Sequence, residues 1–129
     1  MKKANSQVLI IDDNEDILFM LKAMLQFNGY QVTVKDNADA VEDLAQELMP
    51  QLVIMDMLLS GTDGTEICRQ LKQNNNIAHI PVLMISALPQ AADKCLAAGA
   101  DYFIGKPFEM SQLLETVSVA IRGASTASL

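Results

Sequence analysis

The chain has 129 residues, half of them hydrophobic and 19% charged, which suits one globular domain able to bury a core. Its net charge of −7 argues against a nucleic-acid surface of its own and leaves, at most, a basic protein partner. Met1-Lys2-Lys3 precedes a single short apolar run before two aspartates, so neither a secretory signal nor a membrane span fits there, and the chain reads as cytoplasmic.

Strand and helix patterns alternate five times. After an extension over residues 1–7, Val8, Leu9, Ile10 and Ile11 read as strand one, ending at Asp12-Asp13. Helix one is predicted from about Glu15 to Phe27, with Ile17, Leu21, Met24 and Leu25 at helical spacing and Asn28-Gly29 as its stop. Residues 31–35 alternate polar and apolar, as a half-exposed edge strand should. Asn37 is placed to cap helix two, which turns Val41, Leu44, Ala45 and Leu48 inward and ends at Pro50. Residues 52–56 and 81–86 are continuous apolar runs ending in Asp56 and Ser86, the pattern of central parallel strands buried on both faces. Turn residues 60–64 lie between them, followed by helix three over residues 65–73. Helix four is expected from about Pro89 to Gly99, and strand five over residues 102–105, running into Lys106-Pro107. Helix five turns Met110, Leu113, Leu114, Val117 and Ile121 inward, and residues 123–129 are expected to form a flexible tail after a domain of residues 8–122. Cys68 and Cys95 have no metal or redox spacing and read as buried reduced thiols.

Right-handed crossovers and the apolar runs predict an α/β fold: a flavodoxin-like, doubly wound, five-stranded parallel sheet in order 2-1-3-4-5 with five helices. The carboxyl ends of such strands meet at one crevice, which would gather Asp12, Asp13, Asp56, Ser86 and Lys106. Three carboxylates without histidine or thiol favour Mg²⁺. Asp56 ends an apolar strand, and an aspartate there can act as a nucleophile that accepts a phosphoryl group. Lys106 could clamp the developing charge and Ser86 could donate to a phosphoryl oxygen. Crowded carboxylates also predict that Asp13→Ala or Asp56→Asn would stabilise the metal-free protein.

In that order, Asp12-Asp13, Asp56, Ser86-Ala87 and Lys106-Pro107-Phe108 resemble the signature of the receiver domain of two-component response regulators, over nearly the whole chain. The resemblance implies that Asp56 is the phospho-acceptor, supplied by a sensor histidine kinase or a phosphotransfer protein. It implies Mg²⁺ ligation by Asp13, Asp56 and the Leu58 backbone carbonyl, with Asp12 acting through water, and a cis peptide between Lys106 and Pro107. The family's switch aromatic corresponds to Phe103, with Tyr102 beside it; lacking a hydroxyl, Phe103 could move only through packing. Leu58 and Leu88 correspond to positions flanking the phosphate, and being apolar they imply slow self-hydrolysis. Ser60 stands where the family commonly has proline, which implies a looser loop.

The function so implied is a phosphorylation-dependent signalling switch. Such a protein catalyses its own aspartyl phosphorylation and slow dephosphorylation without conventional turnover. Its output would be altered binding of a downstream effector at the helix four, strand five and helix five face, by a monomer or a phosphorylation-dependent dimer. Alternatives are the receiver portion of a longer regulator or hybrid kinase, for which residues 122–129 could begin a linker, and a phosphate-independent binding platform. A phosphohydrolase of the haloacid-dehalogenase type is disfavoured, because Met57 and Leu58 follow Asp56 where that chemistry needs an acid two positions on.

Overall fold

A computed structural model describes residues 6–127. Five strands, β1 (Gln7–Ile11), β2 (Gln31–Lys35), β3 (Leu52–Asp56), β6 (Val82–Ser86) and β7 (Tyr102–Gly105), form one parallel sheet in the order β2-β1-β3-β6-β7. This is the predicted topology, with β6 and β7 as the fourth and fifth strands. Between β3 and β6 lies a small antiparallel hairpin, β4 (Leu58–Leu59) and β5 (Thr62–Asp63), whose two-residue strands are too short to show any periodicity.

Five helices cover the sheet: α1 (Glu15–Phe27), α2 (Val41–Leu48), α3 (Gly64–Gln73), α4 (Ala91–Ala97) and α5 (Met110–Ala127). Alternation along each strand divides the core in two. Val8, Ile10, Leu52, Ile54, Leu83, Ile85 and Ile104 pack against Leu18, Leu21 and Leu25 of α1 and Leu113 and Val117 of α5. Leu9, Ile11, Val53, Met55, Val82 and Met84 pack on the other face against Val41, Ile67, Cys68, Leu71 and Cys95 from α2, α3 and α4. A fully buried Leu or Ile contributes roughly 1.5–3 kcal/mol, so β1, β3 and β6, buried on both faces, anchor the molecule. Both cysteines are free and buried, and burial pushes the Cys68 thiol up to about 11, which keeps it protonated and inert.

Two local expectations are refined and one cap is added. Asn37 does not cap α2: its side chain accepts from the Asp39 N–H, and α2 begins after Ala40 in a left-handed conformation without a side-chain cap. The Asp63 side chain caps α3 by accepting from the Thr65 N–H. The helix α5 continues through Ala127 and takes in residues 123–127 of the expected tail; the other residues of the expected extension and tail, 1–5 and 128–129, lie outside the described residues.

At the rim where the strands begin, the Lys72 ammonium donates to the carbonyls of Ala78 and Ile80 and to Asp101 Oδ2. The same Asp101 oxygen accepts the Val82 N–H at 2.9 Å. One side chain thus joins the end of α3, the following loop and the starts of β6 and β7. A Cβ on Gly99 would come within 2.9 Å of Lys72 Cγ, so glycine there admits the lysine stem.

Candidate functional site

At the opposite rim, where the strands end, the chain leaves β1 at Asp12 and β3 at Asp56. Asp12 is buried, with 3% of its surface exposed, and its Oδ1 accepts the Asn14 N–H at 2.8 Å. Asn14 in turn caps α1 through a bond from the Ile17 N–H; neither aspartate of the pair fills that role. Asp56 has a donor on each oxygen: the Leu58 N–H on Oδ1 at 3.0 Å and the Lys106 ammonium on Oδ2 at 2.8 Å. Lys106 Nζ also lies 3.9 Å from Asp12 Oδ2.

Asp13 is reached from across the crevice. Its Oδ2 accepts both the Ser60 N–H, at 2.8 Å, and the Ser60 hydroxyl, at 2.5 Å. The loop that carries Ser60 is fixed at both ends by the β4–β5 pairing and by Gly64, whose N–H donates to the Met57 carbonyl at 2.6 Å. A Cβ on Gly64 would lie 2.6 Å from the Asp56 carbonyl oxygen, so only glycine allows α3 to start this close beneath the acidic residue. The hydroxyl and N–H of Ser60 thus tie it to Asp13, a hold that a proline, which has neither donor, would not make.

One carboxylate oxygen from each of Asp12, Asp13 and Asp56 lies within 4.8 Å of the other two. Burial, and less strongly the Asp56 charge, raise the Asp12 carboxyl from 3.8 to about 6, against the opposing Asn14 N–H and Lys106 charge. The Asp13 carboxyl is lowered, chiefly by the Ser60 hydroxyl. The electrostatic cost of the cluster thus falls chiefly on Asp12. Three carboxylates against one ammonium leave excess negative charge, and an oxygen-only donor set open to solvent on one side fits a hard divalent cation such as Mg²⁺.

Ser86 is buried at the end of β6, and its hydroxyl oxygen accepts the Leu88 N–H at 3.0 Å. Its own proton remains to be donated. The Lys106 N–H donates to the Ser86 carbonyl at 2.8 Å, which docks β7 beside β6, and the Lys106–Pro107 peptide is cis. Leu58 and Leu88 are 52% and 44% exposed at the mouth of the crevice. Tyr102 and Phe103 part company. Phe103 packs on the α2–α3–α4 core, whereas Tyr102 packs on the α1–α5 side, its hydroxyl 3.7 Å from a Cβ placed on Gly123. Only Phe103 stands on the face that α4 covers. The contacts made by Asn14, Ser60 and Gly64 escaped the sequence reading. A side-chain signal existed for Asn14, a good cap residue directly before an acidic first turn; none existed for Ser60, whose partner is 47 positions away.

Comparison with known proteins agrees with this fold. The family model described as response regulator receiver domain matches residues 8–118. The DNA-binding dual master transcriptional regulator RpaA of Synechocystis is 35% identical over 118 residues, covering 90% of this chain and 49% of that protein. The chain thus spans about half the length of the curated relatives it matches. Among solved structures, the receiver domain of a signal transduction histidine kinase from Syntrophus aciditrophicus superposes with a TM-score of 0.79 at 31% identity, covering 92% of this chain and 91% of that one. The chemotaxis response regulator CheY4 of Vibrio cholerae gives 0.82 at 25% identity, covering 90% and 98%.

Proposed function

The chain belongs to the response regulator receiver domain family of two-component signalling, and on that premise we propose that it is a switch operated by phosphorylation of Asp56. The phosphodonor would be a phosphohistidine on a sensor histidine kinase or a phosphotransfer protein. An Asp56 carboxylate oxygen forms the new bond to phosphorus as the donor's phosphorus–nitrogen bond breaks, and the imidazole leaves with the electron pair. The observation that carries this reading is the position of Asp56, at the mouth of the crevice with Lys106 on one oxygen and two further carboxylates beside it.

Each neighbour has a part in that chemistry. Lys106, already 2.8 Å from Asp56, can redirect its ammonium hydrogen bond to a phosphoryl oxygen and balance the charge that develops there. Ser86 can donate its free proton to another oxygen while the Leu88 N–H holds its lone pair. Asp13, Asp56 and the Leu58 backbone carbonyl would hold Mg²⁺, with Asp12 acting through water; the ion would neutralise the carboxylates so that an anionic phosphoryl group can approach.

An acyl phosphate adds roughly −1.5 to −2 charges and three strong acceptors. Drawing Ser86 and Lys106 toward it would bias the β6–α4 loop and β7, with Phe103 following by packing, and so change how the α4–β7–α5 face binds a downstream effector. The chain would promote its own phosphorylation and slow dephosphorylation without turning over a separate substrate. Its net charge of −7 supports partners that are proteins rather than nucleic acid. Among the described residues no helix is long and apolar enough to cross a membrane, in keeping with a cytoplasmic switch working as a monomer or a phosphorylation-dependent dimer. A second reading, the receiver portion of a longer regulator or hybrid kinase, is favoured by the half-length match to RpaA and leaves the chemistry unchanged.

The test is intact-mass spectrometry after incubation with acetyl phosphate, with and without Mg²⁺, on wild type and Asp56→Asn. One phosphoryl adduct on wild type, dependent on Mg²⁺ and missing from Asp56→Asn, is the expected result. No adduct under any condition would leave a phosphate-independent binding platform instead.

A further inference from the structure

The two bonds from Ser60 to Asp13 are the feature of the site that the proposed chemistry does not use. They join the β1–α1 loop to the turn of the β4–β5 hairpin, across 47 positions of sequence, and both end on Oδ2. Without them Asp13 would be an exposed side chain with two free torsions. With them the plane and direction of its carboxylate are set.

We propose that Ser60 is a positioning residue for the divalent cation of the Asp12, Asp13 and Asp56 cluster, acting by holding the Asp13 carboxylate in its liganding orientation. The proposal rests on the reading of that cluster as a Mg²⁺ site. Two effects of the Ser60 bonds oppose each other. Donors on a carboxylate draw charge from it and weaken it as a ligand, whereas fixing its direction removes the entropy cost of ordering it when the ion binds. Where outer partners of metal ligands are removed, affinity typically falls by about 10–100-fold, so orientation is the larger effect. Both donors belong to this side chain and its own N–H. A proline here would have neither, so the substitution trades a stiff ring for a direct hold on a ligand.

Isothermal titration of Mg²⁺ into the full chain, as wild type, Ser60→Ala and Ser60→Thr, tests this, with melting curves in EDTA run alongside. Ser60→Ala keeps the N–H and loses the hydroxyl, so its dissociation constant should rise by about tenfold, the low end of the range for a lost outer partner. Ser60→Thr, which keeps both donors, should restore wild-type affinity. A Ser60→Ala protein that melts lower in EDTA but titrates like wild type would show a purely structural bond and overturn the proposal, leaving the Mg²⁺ site itself intact. Wild type without saturable Mg²⁺ binding would overturn the metal reading and this inference with it.

Discussion

At Asp12 burial and charge work against each other, and the conflict has a measurable pH signature. Its carboxyl is raised from 3.8 to about 6, so between those values the folded chain keeps a proton that the unfolded chain has released. The stability this group contributes is complete below the lower value and is lost as pH rises through the upper one. In EDTA, Asp12→Asn should remove that decline and raise the unfolding free energy at neutral pH by about 2 kcal/mol. Urea unfolding followed by circular dichroism across that range checks it, and parallel wild-type and Asp12→Asn curves would sink it. On the proposed reading, phosphate lifetime would also turn on single side chains. Leu58, exposed at the mouth, can neither orient nor activate water, so Leu58→Asn should hasten loss of phosphate from Asp56, read by mass spectrometry over time; an unchanged decay would leave Leu58 as loop packing. The meeting of Asp12, Asp13, Asp56 and Lys106 was legible because each lies where an apolar run stops and parallel strands end together. Ser60 was not, since a hydrogen bond between distant loops has no periodicity to betray it.

Among the elements, α2 is the least well terminated. Ala40 and Met49, at its two ends, both hold left-handed backbone, with φ of 55° and 47°, which glycine adopts without steric cost. Met49 is also half-exposed at the helix C-cap, so little packing is lost on replacing it. Met49→Gly should therefore stabilise the protein by about 0.5–1 kcal/mol, seen as a higher melting temperature; a lower one would mean that the methionine packs more than its exposure suggests. The sequence pattern located α2 by its apolar stripe but assigned its start to Asn37, because a cap-forming residue near a helix looks the same whether it binds the helix or only the next turn. For α4, β7 and α5, effector affinity should differ between free and phosphorylated protein, measured with whichever protein is captured by one form. Substitution of exposed Leu96 or Val119 should weaken the tighter complex; equal affinity in both states would place the output elsewhere.

For the molecule as a whole, the order of the sheet could be read from strand type together with the right-handed crossover rule: the apolar β1, β3 and β6 lie in the middle and the alternating β2 at one edge, while β7, apolar as well, takes the other edge by its place in the chain. The cross-connections that complete the fold could not be read. Lys72 looks like an ordinary solvated helix residue in sequence, yet it gathers two carbonyls and Asp101. Lys72→Met should lower stability by about 1–3 kcal/mol by orphaning those acceptors, while the Mg²⁺-dependent mass shift on Asp56 persists in the folded protein. Loss of phosphorylation at a temperature where Lys72→Met remains folded would contradict that separation.

Because the strands are parallel, the lysine knot and the carboxylate cluster occupy opposite rims. β6 and β7 resemble two leaves bound along one spine: sewn together at Val82 and Asp101, they are clasped at the far margin only by backbone, the Lys106 N–H on the Ser86 carbonyl. A burst of negative charge on Asp56 would therefore pull at the margin, and the pages would turn without straining the binding.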